Sequence, residues 1–443
     1  MLKAGQQVAE SCKGLPLVIV LTAGIIAEKR QASLWLEVAN DLSSHVLEEQ
    51  STKIIESSYD HLEDHLKACL LYMGLFPEDY KIPVCDLLKL WIAENFVQNM
   101  DTDNLEEASK ICLNGLVTRS LVVVTKRRSN GEIKYCTVHD LVREFCLRKL
   151  TKEKFMQLIV PYNRYQTLGA KEPRLCMYVH DDLVRELVQY EYSLDKIPMM
   201  AGLKEGESFA QCHDRSLEFI AHPKFYAWDH ISLFPLLDNF RLIRVLHLWD
   251  IYLQNSWATA MQAVTHLRYL AIFTQKFDFQ WISHLLDLQN LRVAWKDSTA
   301  LDPTMRLKTS PAIWKMQKLR HVDINKFSFA WKDNDRAIFE ESPKPVLPNL
   351  KTFGKCWIYL ADMTPEFWWR FPNIEQLKLH FVEPEDETVT KYYEVPTPEV
   401  DMPNLEKLPL QSLEVSFSHT KSTYSTMMGQ LCCLPFKSKT FVH

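Results

Sequence analysis

Through the first 150 residues apolar positions recur every three or four residues, whereas much of the remainder alternates in short bursts. From Ser57 to Met73, the positions Leu62, Leu66, Cys69, Leu70 and Met73 predict one helix, which Phe76-Pro77 ends. Val84, Leu87, Leu88, Trp91, Ile92 and Phe96 predict a second, and Leu105, Ala108, Cys112 and Leu116 a third. The period then shortens. Leu121 to Thr125 is a β-branched run, Asn130-Gly131 is a hairpin dipeptide, and Ile133 to Val138 is the returning strand. Asp140 is placed to cap a final helix through Leu141, Val142 and Phe145. Three helices closed by a two-stranded hairpin predict a winged helix.

An earlier apolar stretch, Leu15 to Ala27, predicts a buried helix opened by Pro16, whose missing N–H costs nothing in a first turn. It follows Lys3 and Lys13 as the core of a signal peptide would. Against that, Thr22 and Gly24 interrupt it, and Glu28-Lys29-Arg30 follows without a small-residue cleavage site. It is also shorter than the roughly 20 residues a membrane span needs.

Beyond residue 220, where 10 of the 12 tryptophans lie, an L-x-x-L-x-L core recurs. Copies fall at Ile243/Leu246/Leu248, Leu267/Leu270/Ile272, Leu288/Leu291/Val293, Leu319/Val322/Ile324, Ile374/Leu377/Leu379 and Leu405/Leu408/Leu410. A poorer copy sits at Leu350/Phe353, where Lys355 takes the third place, and weaker strands at Leu175 to Val179 and Leu217 to Ile220 would start the array. Successive starts differ by 24, 21, 31, 31, 24 and 31 residues, against about 20–29 for leucine-rich repeats, so three intervals carry short insertions. The expected fold is multidomain: an α-helical, winged-helix N-terminal part followed by an α/β leucine-rich-repeat solenoid.

Composition changes this picture at three points. The chain has 443 residues, room for several domains, and its 47% apolar and 24% charged residues belong to a folded protein. Glycine numbers only 11, where usage of about 7% would give roughly 31, and none lies in a G-x-x-x-x-G-K-[ST] or G-x-G-x-x-G phosphate-binding turn. The net charge of −5 argues against bulk binding to nucleic acid. The 11 cysteines show no C-x-x-C, which predicts reduced, mostly buried thiols rather than a disulfide framework or zinc ribbon.

Several motifs together resemble the coiled-coil class of plant nucleotide-binding leucine-rich-repeat (NB-ARC LRR) disease resistance proteins, the late-blight-resistance-like members in particular. Gly14-Leu15-Pro16-Leu17-Val18 is similar to the family's GLPLA motif, and Ser58-Tyr59-Asp60-His61-Leu62 through Leu66-Lys67-Ala68-Cys69-Leu70-Leu71-Tyr72 to its S-Y-D-x-L signature. Leu75-Phe76-Pro77-Glu78-Asp79-Tyr80 and Leu90-Trp91-Ile92-Ala93-Glu94-Asn95-Phe96-Val97 follow at the family's spacing. Val138-His139-Asp140-Leu141-Val142 resembles its MHD motif with valine for methionine, and Lys171-Glu172-Pro173-Arg174-Leu175 its approach to the repeats.

The resemblance implies residues 1–51 as the end of the NB-ARC helical subdomain, 52–150 as the winged helix and 151–443 as the repeats. With Met1 only 13 residues before the GLPLA-like motif, it also implies the back half of a receptor, truncated at the N-terminus and without the phosphate loop. Pro16 would pack near the adenine of ADP and His139 would contact its β-phosphate, with Asp140 steadying the turn. These contacts would work in the intact ADP/ATP switch, and this chain alone would hold no nucleotide tightly.

The implied role is recognition of a pathogen effector or a guarded host protein in a cytoplasmic defence response, with membrane-associated or nuclear pools as alternatives. The missing N-terminal half or other receptors would be further partners. A leucine-rich scaffold or decoy without a switch is the other reading, and a winged-helix DNA-binding protein a third.

The remaining clusters are weighed on their chemistry. His61, Glu63, His65 and Cys69 suggest a metal helix, but a catalytic zinc helix needs H-E-x-x-H, so a solvated helix face is expected and no metal. Lys126-Arg127-Arg128 crowns the hairpin, yet the preceding helix is acidic at Asp103, Glu106 and Glu107, wrong for a major-groove reader. The run Glu383-Pro384-Glu385-Asp386-Glu387 is expected to be a solvated loop. No nucleophile–base–orienter set emerges, so no catalysis is expected. The expected partner face is the concave side of the repeats, carrying Arg244, His247, Trp249, Arg268, Tyr269, Phe273, Arg292, Arg320, Asp323, Lys326, Lys378, His380 and Phe381.

Overall fold

The computed structural model describes residues 2–12, 16–27, 31–43, 47–97, 104–153, 155, 157–159, 175–179, 215–221, 243–253, 257–274, 277–295, 307–308, 311–324, 327–328, 346–359, 370–382, 409–417 and 438–442. The chain forms two compact units: Met1–Ile159 with Lys171–Cys176, and Val160–Ala170 with Met177–His443.

In the first unit, helix α1 (Leu2–Ser11) buries Ala4 and Val8, one turn apart, with Cys12 just past its end. Helix α2 (Pro16–Ala27) is apolar on every side, which predicts full burial. The expectation fails in part: Thr22 is buried, but Ile19 and Val20 are exposed. Helix α3 (Ala32–Ser43) packs beside α1, where Trp35 approaches Gly5.

The single helix expected over Ser57 to Met73 is two helices, α4 (Leu47–Asp60) and α5 (Asp64–Met73). His61 to Glu63 form the break, and Glu63 adopts the extended conformation of an N-cap. Leu62 keeps the apolar spacing because it is buried from the turn, so periodicity alone hides the interruption. Gly74 closes α5 where the chain passes close to Cys146.

Strand β1 (Ile82–Pro83) leads into α6 (Val84–Ala93), and Asn104 caps α7 (Leu105–Thr118) by accepting from the N–H groups of Glu106 and Glu107 at 3.2 and 3.4 Å. Strands β2 (Val122–Arg127) and β3 (Ile133–Val138) pair antiparallel across a turn in which Gly131 has φ +85°. β1 adds to β3, giving a three-stranded sheet in the order β1-β3-β2 rather than the expected two strands. Two residues ending in proline give no strand signal. Helix α8 (Asp140–Lys152) completes the winged helix, whose core holds Tyr72, Trp91, Leu116, Val142 and Cys146 fully buried.

After β4 (Gln157–Ile159) and β5 (Leu175–Val179), the second unit carries strands β6 (Arg215–Ala221), β7 (Ile243–Leu253), β8 (Tyr269–Thr274), β9 (Asn290–Trp295), β10 (Leu307–Lys308), β11 (His321–Ile324), β12 (Phe327–Ser328), β13 (Thr352–Tyr359), β14 (Gln376–Val382), β15 (Ser412–Phe417) and β16 (Ser438–Val442). From β6 to β16 they pair parallel in chain order, except that β12 lies beside β13 off this path and β10 beside β12. Leu246, Leu270, Leu291, Val322, Phe353, Leu377 and Leu413 are register partners in one buried column, so β7, β8, β9, β11, β13, β14 and β15 each turn a large apolar group inward.

Two expected cores are corrected by this register. Cys356, not Lys355, takes the third inward place of the Leu350/Phe353 copy, because an irregularity between Phe353 and Cys356 shifts the pairing onto Leu379. The last copy is Leu410/Leu413/Val415, since Leu413 and Val415 pair with Leu377 and Leu379; Leu405/Leu408/Leu410 has the same spacing but precedes the strand.

A backbone thread joins the strand entrances. The N–H of Arg268 donates to the carbonyl of Arg244 at 2.7 Å, that of Gln289 to Arg268 at 2.8 Å, and those of Arg320, Lys351, Glu375 and Gln411 continue the series at 2.7 Å each. Among the described residues no helix is long and apolar enough to cross a membrane.

Candidate functional site

His139 lies between β3 and α8, exposed, with the extended backbone of an N-cap. Its Nδ1 accepts the N–H of Leu141 at 3.3 Å, and its carbonyl accepts from Arg143 N–H at 2.8 Å. The cap assigned to Asp140 therefore belongs to His139, and Asp140 is the first helical residue, where its charge complements the helix dipole. An Nδ1 that accepts a backbone N–H carries no proton. The neutral ring is then the Nε2–H tautomer, with a donor left facing solvent.

The helix behind His139 is anchored along its length. Arg143 Nε donates to the carbonyl of Phe76 at 2.6 Å, and the Cys146 thiol to that of Leu70 at 3.7 Å. At its far end Tyr59 donates to Glu153 at 3.0 Å, while Lys149 pairs with Glu56 at 3.2 Å and lies over the Tyr59 ring. Pro16 opens α2 as expected of a first-turn residue; its side chain falls outside the described residues.

The histidine–cysteine cluster does not share one helix. His61 sits in the break after α4, with Nδ1 against the carbonyl of Ser57 at 2.7 Å. His65 faces Glu63 at 3.4 Å, and Cys69 is buried against the Cys112 thiol. Burial pushes the Cys69 thiol well up, away from the thiolate a metal would need. Among the described residues no group of three or more histidine, cysteine, aspartate or glutamate side chains could hold a metal ion.

On the parallel sheet, the Arg292 guanidinium stacks 3.7 Å from the centre of the Trp249 ring and its Nε lies 3.6 Å from Asp323. His247 meets Tyr269 edge-on at 5.8 Å. Further along, Lys378 pairs with Glu414 at 2.8 Å, and His380 Nδ1 lies 2.7 Å from Ser416 Oγ. Phe273 is half-buried.

Other expected face residues are placed differently. Tyr269 is 2% exposed and Phe381 fully buried, so neither is open on this face. Arg244 at the start of β7, and Arg268 and Arg320 just before β8 and β11, are half-buried, and their carbonyls hold the next strand. Lys326 lies outside the described residues, as does the acidic run from Glu383 to Glu387. Sequence reasoning missed Glu414 and Ser416 because the last core was set five residues early. It also missed His321, buried with Nδ1 2.9 Å from Thr352 Oγ1.

Comparison with known proteins adds a second kind of observation. The family described as disease resistance protein winged helix domain matches residues 75–146. The late blight resistance protein homolog R1B-23 of Solanum demissum is 31% identical over 381 residues, covering 84% of this chain and 28% of that protein. Late blight resistance protein R1-A of the same plant is 30% identical over 383 residues, again covering 84% of this chain and 28% of its own length. The chain thus spans little more than a quarter of the relatives it matches.

Proposed function

With kinship to plant late blight resistance proteins running through most of the chain, and a disease-resistance winged helix within it, we propose that the chain is the regulatory and recognition part of an intracellular immune receptor. The extent of the match carries this reading: it covers far more of the chain than the winged helix alone. The parallel ladder is read as a leucine-rich-repeat solenoid, supported by strands that pair in chain order and by the leucine-dominated inward column. Its exposed face, with Arg292, Trp249, His247, Asp323, Lys378 and His380, would meet a pathogen effector or a guarded host protein.

The family's ADP or ATP fits His139. A ring whose Nδ1 accepts the Leu141 N–H leaves Nε2–H free to donate, and His139 would offer that donor to a diphosphate oxygen. Bound nucleotide would supply the anionic diphosphate. Pro16 would line the adenine end. Such a contact biases a two-state switch only by its differential strength between the states.

The test is disruption of the coding gene in the plant that carries it, followed by challenge with a panel of pathogen isolates. Loss of resistance to at least one isolate is expected, and an unchanged response across the panel would overturn the reading. Replacing His139→Ala in the full coding sequence and measuring co-purified ADP tests the nucleotide contact separately.

A further inference from the structure

Strand β2 is an edge of its sheet: the order β1-β3-β2 leaves its outer side without a partner strand among the described residues. An edge strand presents every second backbone N–H and C=O outward, ready to pair with another chain. The residues here are suited to that. Val122, Val123 and Val124 are β-branched, and Val123 is 45% exposed. Thr125, Lys126, Arg127 and Arg128 are all exposed.

Charge is unevenly satisfied around this edge. Several lysines elsewhere meet carboxylates, as in Lys67–Asp64, Lys149–Glu56, Lys318–Asp287 and Lys378–Glu414. On the hairpin Glu132 is already taken, by Lys110 at 3.0 Å and by the Asn130 amide at 3.0 Å. Lys126 and Arg127 have no carboxylate partner among the described residues; the Arg127 guanidinium donates to the Gly131 carbonyl at 2.9 Å, and the Arg128 charge also acts on Glu132. Register shifts between Val124 and Lys126, and again between Lys126 and Arg127, break strict alternation where the cations begin.

A lysine that only blunts an edge sits along it. Here the first four residues of β2, Val122 to Thr125, are uncharged, and Lys126 and Arg127, which pair with Tyr135 and Ile133, gather charge at its hairpin end.

We propose that the outer edge of β2, with Lys126 and Arg127 at its hairpin end and Arg128 just past it, is a docking site for an extended acidic polypeptide segment that adds as a further antiparallel or parallel strand. Backbone pairing along Val122 to Thr125 supplies affinity, and the three cations select carboxylates. The overall charge of −5 offers acidic segments no general attraction, so binding rests on local cations such as these. Nucleic acid fits less well. It has no peptide groups to pair with the edge, and Glu106 and Glu107 lie one turn from Lys110, the residue that tethers the hairpin.

The experiment uses the whole purified chain and fluorescence anisotropy of a dye-labelled short peptide alternating valine and glutamate. The same peptide N-methylated at alternate residues, and a labelled DNA duplex, are measured beside it. The unmethylated peptide is expected to bind. The triple replacement Lys126→Glu, Arg127→Glu, Arg128→Glu should weaken it at least about tenfold, the scale of three exposed charge contacts. Alanine at the same positions should weaken it less, with thermal melting unchanged in both variants. The methylated peptide should not bind. Absence of peptide binding, equal binding of the methylated peptide, indifference to charge reversal, or tighter binding of the duplex would each overturn the proposal.

Discussion

The hydroxyl of Tyr59 donates a 3.0 Å hydrogen bond to Glu153, tying the end of α4 to the end of α8 across 94 residues of sequence. The ring meets Phe145 edge-on at 5.3 Å, and Lys149 lies over it at 5.3 Å. Burial, then the Glu153 carboxylate, raise the Tyr59 pKa, so the hydroxyl stays a donor at any ordinary pH. Tyr59→Phe keeps the ring and removes the donor, and urea unfolding should show a loss of about 1 kcal/mol. In a Glu153→Ala background the same replacement should cost almost nothing. An equal cost in both backgrounds would mean the bond is not what holds the helices.

His139 caps α8 through its ring, which predicts a replacement series. His139→Ala should lose about 1 kcal/mol, whereas His139→Asn, another side chain able to accept the Leu141 N–H, should retain most of it. Nitrogen NMR of the ring should report the Nε2–H tautomer. A dominant Nδ1–H signal would contradict the cap.

Gly74 leaves no room for a side chain, because a Cβ there would collide with Cβ of Cys146 and stand 3.2 Å from the carbonyl of Leu71. Gly74→Ala should destabilise the winged helix by about 1–3 kcal/mol, the usual cost of overpacking. Adding Cys146→Ala should not restore stability, since the collision is with Cβ rather than sulfur. Rescue by that second change, measured by thermal melting, would show that the thiol was the obstacle.

Glu132 gives the hairpin a pH dependence. Hydrogen bonding from Lys110, then from Asn130, holds its carboxyl below the usual range. A depressed folded pKa contributes stability that is full above the unfolded value of about 4.3 and is lost as pH falls through the lower folded value. Both partners are nearly half exposed, so the effect is small and screened by salt. Carboxyl NMR should show Glu132 titrating below an ordinary glutamate, and Lys110→Met should move it upward. No movement would remove Lys110 as the cause.

Much of the winged helix was legible because helix faces repeat and hairpins announce themselves. Ile133 to Val138 matches β3 residue for residue. What escaped the sequence was decided by tertiary contact. Leu62 sustains a helical spacing through a break, and Asp140 is the stronger capping residue by type although the backbone turns at His139. On the sheet, Leu405/Leu408/Leu410 and Leu410/Leu413/Val415 are equally good patterns, and only pairing with Leu377 and Leu379 chooses between them. Whether Tyr269 or Phe381 is covered depends on neighbours that no strand pattern encodes.

The carbonyl thread from Arg244 to Gln411 separates two quantities that most folds tie together. Each link fixes the height of the next step by one backbone bond of nearly constant length, while the chain between links is short from Arg268 to Gln289 and much longer from Glu375 to Gln411. Like a staircase with uniform risers and treads of any depth, the sheet can accept added or deleted segments between steps without changing its rise. Variation in loop content then reshapes what the surface displays, and the scaffold that presents it need not be rebuilt.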